Sequence, residues 1–122
     1  MRTVNITEFC NQSNLNADVF RDTIEVMGLN RQTEELGLDI LEAIAEEIAQ
    51  RNGTPLALPA ANSTLSDREK LTIQDAVELA FEVYPERMAL NNLQIMQVAA
   101  FLTAERQMDA MRQYTARSLP NG

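Results

Sequence analysis

Residues 6–29, ITEFCNQSNLNADVFRDTIEVMGL, constrain the fold more than any other stretch. Ile6, Phe9 and Cys10 sit at the i, i+3, i+4 spacing of one buried helix face, which predicts a helix over residues 7–12. Ser13 and Asn14 break it, and Leu15 anchors the turn in the core. Asn16 is a favourable N-cap for a second helix over residues 17–27, with Val19, Phe20, Ile24 and Met27 inward. Gly28 stands just past the helix end, where a left-handed backbone is needed, and Leu29 follows it. The pattern predicts two short helices joined by a tight polar turn.

The rest of the chain reads in helical periods. Residues 1–5 make a short extended lead-in, and Asn5 or Thr7 can cap the first helix. Thr33-Glu34-Glu35 carries an N-cap residue and two acids, which predicts a third helix from about residue 33 to 51. Its inward stripe is Leu36, Ile40, Leu41, Ile44 and Ile48, and Glu42, Glu46 and Glu47 form a solvated face. Pro55, Pro59 and the small residues around them mark a linker, pinned to the surface by Leu56 and Leu58. Ser66-Asp67-Arg68-Glu69 has the form of a capping box. It opens a helix to about residue 84, with Leu71, Ile73, Ala76, Val77, Ala80 and Phe81 apolar, and Pro85 interrupts it.

The last helix starts at residue 86 or 89 and reaches about residue 116. Between 93 and 102 it is apolar on more than one face, which in a small chain points to a second copy of the same chain. Leu93, Met96, Ala100 and Phe101 are the self-association candidates. Beyond Glu105, Met108 and Met111 continue an apolar stripe, Arg106, Arg112 and Arg117 are read outward, and residues 119–122 are read as frayed. The expected fold is therefore all-α. A trihelical helix-turn-helix-like unit (residues 1–52) is joined by a linker (53–66) to a helical pair that includes one long helix (67–122).

Composition bounds the chemistry. Hydrophobic residues make up 45% of the 122, enough for a core, but only 5% are aromatic and none is Trp. The core must come from Leu, Ile, Val, Met and Ala. There is no His, so imidazole catalysis and His metal ligation are excluded. The single Cys10 excludes an internal disulfide and a thiolate zinc site, and its place on an apolar face reads as burial. Asp67 to Glu78 has the length of a calcium loop, but Leu71 takes a ligand position and Thr72 the glycine position. Glu34-Glu35 and Glu46-Glu47 diverge on a helix and make no acid–base pair. No catalytic residue, cofactor, metal or small-molecule substrate is expected. With no signal stretch and no apolar run of membrane length, the chain is expected to be cytoplasmic and to make no membrane contact.

Net charge is −8, and residues 1–52 carry most of it, with four Arg against ten acids. That balance opposes a phosphate backbone unless positive groups gather on one face.

The positions Ile6, Phe9, Cys10, Leu15, Asn16, Phe20, Ile24, Met27, Gly28 and Leu29 resemble, without a gap, the small helical module at the amino end of bacterial translation initiation factor two. Ile6, Glu8, Phe9, Cys10, Leu15 and Arg21 are similar to the helix-turn-helix of MerR-type regulators. That second match needs one extra residue before Gly28, and it lacks the basic, aromatic wing, because Asn30-Arg31-Gln32 leads straight into Thr33-Glu34-Glu35. The MerR-type resemblance implies DNA contact, and by residue type Asn16, Arg21 and Arg31 are the candidates to make it. The outward set of the second helix is read as Asn16, Asp18, Arg21, Asp22 and Glu25, in which three acids repel phosphate.

The leading expectation is a non-enzymatic, self-associating regulatory or adaptor protein acting through protein contacts, as a homodimer. A DNA-binding regulator is the alternative, and an accessory inhibitor of a basic partner, from a phage or plasmid, is a third reading.

Overall fold

The computed structural model describes residues 3–53 and 65–118, with side chains continuous to 105 and then at 107, 108 and 111. The predicted linker leucines Leu56 and Leu58, the tail at 119–122 and the side chains of Arg106, Arg112 and Arg117 lie outside these. Among the described residues the chain runs β1 (Thr3–Asn5), α1 (Ile6–Gln12), α2 (Ala17–Val26), β2 (Glu35–Gly37), α3 (Leu38–Arg51), α4 (Asp67–Val83), α5 (Pro85–Met88) and α6 (Asn92–Ser118). The fold is all-α apart from one two-stranded ribbon.

The opening stretch folds as its residues predict. Asn5 Oδ1 accepts from Glu8 N (3.1 Å) to start α1, and Asn16 Oδ1 accepts from Asp18 N (2.9 Å) to start α2. Both helices stop in the same way. Asn14 (φ 53°) and Gly28 (φ 91°) take left-handed backbone, and the next residue's N–H reaches back five residues. Leu15 N donates to Cys10 O (2.7 Å) and Leu29 N to Ile24 O (3.0 Å), which satisfies carbonyls that a helix end leaves bare.

The region after Gly28 departs from expectation. Thr33 does not cap a helix. Its hydroxyl donates to Asn30 O (2.6 Å), while Asn30 Oδ1 accepts from Gln32 N (2.8 Å), so residues 30–33 form a turn. The chain then pairs antiparallel with the lead-in, Val4 opposite Leu36, and Ile6 N donates to Glu34 O (2.8 Å). Helix α3 begins only at Leu38.

Ser66 and Glu69 make the capping box at the start of α4, with Glu69 N to Ser66 Oγ at 3.2 Å. Pro85 opens the single turn of α5, where its missing N–H costs nothing. Asn91 and Gln94 bond reciprocally, Gln94 N to Asn91 Oδ1 at 2.8 Å and Asn91 N to Gln94 Oε1 at 3.1 Å, so α6 also starts on a box-like cap.

One hydrophobic core joins both halves of the chain. Ile6, Phe9, Phe20, Ile24, Leu41, Ile44, Ile48, Val77, Met88 and Leu102 belong to the same buried cluster. Phe9 sits edge-on to Phe20 (centroids 5.5 Å) and to Phe101 (5.0 Å), so α1, α2 and α6 meet at one aromatic corner. Asn52 closes the far end. Its Nδ2 donates to Ile48 O (2.8 Å) and Met88 O (3.2 Å), and its Oδ1 accepts from Leu90 N (3.1 Å). Leu71, expected among the apolar set of α4, is 58% exposed, because it projects opposite the buried row Ile73, Ala76, Val77 and Ala80.

Candidate interaction surfaces

The polar face of α2 carries the residues that a DNA-reading helix would use, and each has a structural bond. Asn16 is the N-cap. The Arg21 guanidinium turns toward the chain: Nη1 donates to Arg31 O (2.7 Å) and Thr33 O (3.3 Å), and Nη2 to Thr7 Oγ1 (3.2 Å). One side chain thereby ties α1 and α2 to the turn before β2.

Asp22 corrects the sequence reading most directly. Read as an outward acid, it is wholly buried. Its carboxylate accepts from Arg31 and from Arg87 Nη1, the latter at 3.2 and 3.3 Å to its two oxygens. Arg31 also reaches Glu25 Oε2 (3.2 Å) and Asp18 Oδ1 (3.6 Å). The guanidinium is thus surrounded by three carboxylates. Asp22 and Glu25 raise its already high pKa, chiefly through the hydrogen bond that Arg31 donates to Asp22. Arg87, on α5, stacks over the Tyr84 ring at 5.1 Å. The signal for this cluster was present in the sequence, since Asp22 lies only four residues from Asp18 and three from Glu25. Its acceptance of two distant arginines depends on the turn at Gly28 and on the return of α5.

Self-association candidates on α6 divide. Leu93 (59% exposed), Met96 (67%) and Ala100 lie together on the open face. Phe101 does not: it is partly buried against the core and pairs with Phe9. Further along, Met108 (46%) and Met111 (69%) extend the open face. At 100° per residue, Leu93, Met96, Ala100, Ala104, Met108 and Met111 fall within about a third of a turn. The opposite face holds Ile95, Val98 and Leu102, all buried. Helix α6 is therefore apolar on two sides, and among the described residues only one of them is covered.

Comparison with known proteins finds no matching family model, no matching curated protein and no matching solved structure.

The remaining chemistry is sparse. A cleft of about 190 Å³ lies between β1, α1 and α6, lined by Asn5, Glu8, Glu35, Phe101 and Glu105. A smaller apolar groove of about 120 Å³ lies between Met27, Ile40 and Ile73. Among the described residues, no three acidic or Cys side chains are arranged to hold a metal ion. Cys10 is buried, and desolvation pushes its thiol up to about 12 against the opposing pull of Arg21. No helix among the described residues is long and apolar enough to cross a membrane.

Proposed function

We propose that this is a non-enzymatic regulatory or adaptor protein that works through protein contacts and associates with itself along α6. The observation that carries this is the uncovered apolar stripe of Leu93, Met96, Ala100, Met108 and Met111. Such a stripe costs solubility unless something covers it. A second copy fits because the stripe is mainly apolar, with Gln97 and Gln107 as its polar members, and a two-fold axis would lay it against itself. Its size sets the strength. From Leu93 to Met111 the stripe is about 27 Å long and about 10 Å across, so two copies bury on the order of 500 Å². That is below the ~1,200 Å² of stable interfaces and belongs with weak, exchanging dimers.

Sedimentation velocity from about 5 to about 500 μM tests this against the weak-dimer range. The weight-average mass should rise with concentration, and Met96→Glu with Met111→Glu should abolish the rise while leaving the helical circular dichroism unchanged. A monomer at every concentration would end the proposal. The DNA-binding reading through Asn16, Arg21 and Arg31 is the weaker one, because all three side chains are committed to caps, carbonyls or carboxylates. Retardation of a promoter fragment near 50 mM salt, where phosphate contacts are strongest, would reverse that order.

A further inference from the structure

Helix α4 has an open face that differs in kind from that of α6. The row directly opposite its buried side is Leu71, Asp75, Glu78 and Glu82, with Leu79 and Val83 beside it. Leu71 is 58% exposed, Leu79 46% and Val83 54%. Three apolar side chains therefore stand in water within three acids.

Those acids make no ion pair among the described residues, and the cation on the same face, Arg68, lies about two turns away from Asp75 at the start of the helix. Several acids elsewhere on the helices find partners: Asp18, Asp22 and Glu25 hold Arg31, and Glu47 pairs with Arg51 and accepts from Gln74. The side chains of Asp75, Glu78 and Glu82 have no hydrogen-bond or ion-pair partner among the described residues. They are also spaced i, i+3 and i, i+4, the separations at which like charges on a helix repel. The fold therefore carries an arrangement that is locally unfavourable on two counts, exposed apolar area and unrelieved repulsion. Neither is relieved among the described residues. A positively charged surface with its own apolar ridge would relieve both.

We infer that this face of α4 is a docking surface for a basic amphipathic helix of a partner protein. Leu71, Leu79 and Val83 would meet the partner's apolar stripe, and Asp75, Glu78 and Glu82 its flanking Lys or Arg. Helix-on-helix recognition of this kind draws affinity from the apolar anchors and encounter rate from the charges. The surface is separate from the α6 stripe, so a dimer would present it twice.

The test uses the full chain carrying Met96→Glu and Met111→Glu, so that self-association does not confuse the result. The probe is a synthetic helical peptide with leucines at i, i+4 and i+8 flanked by lysines, and the control has the same leucines flanked by glutamates. Amide chemical shifts are followed during titration. The lysine peptide should bind saturably, shift amides within α4, and weaken about tenfold or more between about 50 and about 500 mM salt as the charges are screened. The control should not bind. Asp75→Asn with Glu78→Gln and Glu82→Gln should weaken binding about tenfold, and Leu79→Ser with Val83→Ser should do the same. All five positions are exposed, and unchanged circular dichroism of each variant establishes that the fold is kept. Binding that is absent, equal in the charge-neutral variant, or centred on residues 34–47 would overturn the inference. So would tighter binding of a peptide spanning residues 103–118 of this chain, which would assign the face to a second copy.

Discussion

Replacing Asp22 with Asn keeps the side-chain shape and removes the charge that two arginines share. The substitution also turns one acceptor oxygen into an N–H donor aimed at a guanidinium. Removing one member of a buried ion pair costs about 3–5 kcal/mol when the other is left buried and charged. Here the survivors are Arg31 and Arg87, 31% and 51% exposed, and water can take back part of their hydration. The expected loss is therefore smaller, about 2–3 kcal/mol. The converse change is worse. Arg31→Met with Arg87→Met strands a carboxylate that is wholly buried, and should cost about 3–5 kcal/mol. Urea unfolding monitored by circular dichroism measures both, provided the denaturant slope is unchanged. For a chain of this size, Asp22→Asn should lower the thermal midpoint by roughly 10 °C. An Asp22→Asn variant within about 0.5 kcal/mol of the parent, the spread of ordinary surface changes, would refute the reasoning. So would a double arginine variant more stable than Asp22→Asn.

Three further outcomes are expected from the same structure. Cys10 should resist an aromatic disulfide reagent in the folded protein and react at once in urea. Its thiol is raised from 9.0 to about 12, so the unfolded chain loses that proton first, and stability should fall as pH climbs from about 9 toward 12. Gly28→Ala meets no atom within 4 Å, so its cost is backbone strain alone, about 1–2 kcal/mol by denaturant midpoint. Ser66→Ala removes the N-cap of α4 and should cost about 1 kcal/mol, with hydrogen exchange rising first in the opening turn of that helix.

What could be read in the sequence was what local chemistry decides. The stops at Asn14 and Gly28, the caps at Asn16 and Ser66, and the burial of Phe9, Phe20 and Ile24 are each set by residues within one helical turn. The strand at Glu35–Gly37 was not legible. It is three residues long, so it shows no alternation, and its partner lies some thirty residues earlier. Thr33 followed by two acids is a good helix start, and the pairing of Leu36 with Val4 overrode it. Asp22 was misplaced for a similar reason. Helical spacing puts it beside Asp18 and Glu25, and only the return of the chain through Arg31 and Arg87 covers it. On α6 the two apolar faces were visible, but periodicity carries no information about which one the core takes. Phe101 fell to the core because Phe9 offered an edge-to-face partner.

Asn52 has a consequence in time. It precedes Gly53, and an asparagine before glycine is the arrangement most prone to spontaneous deamidation, because the glycine nitrogen meets little hindrance in attacking the side-chain carbonyl. The folded chain opposes this: the Asn52 amide is held by Ile48, Met88 and Leu90, and Gly53 N is engaged with Gln50 O at 3.0 Å. Once formed, however, the product carboxylate can no longer donate to the two carbonyls that Nδ2 now satisfies. Each molecule thus carries a slow chemical clock at the junction of α3 and α5. It runs mainly during excursions to the open state, so the age of a preparation would record how often that end of the fold has come apart.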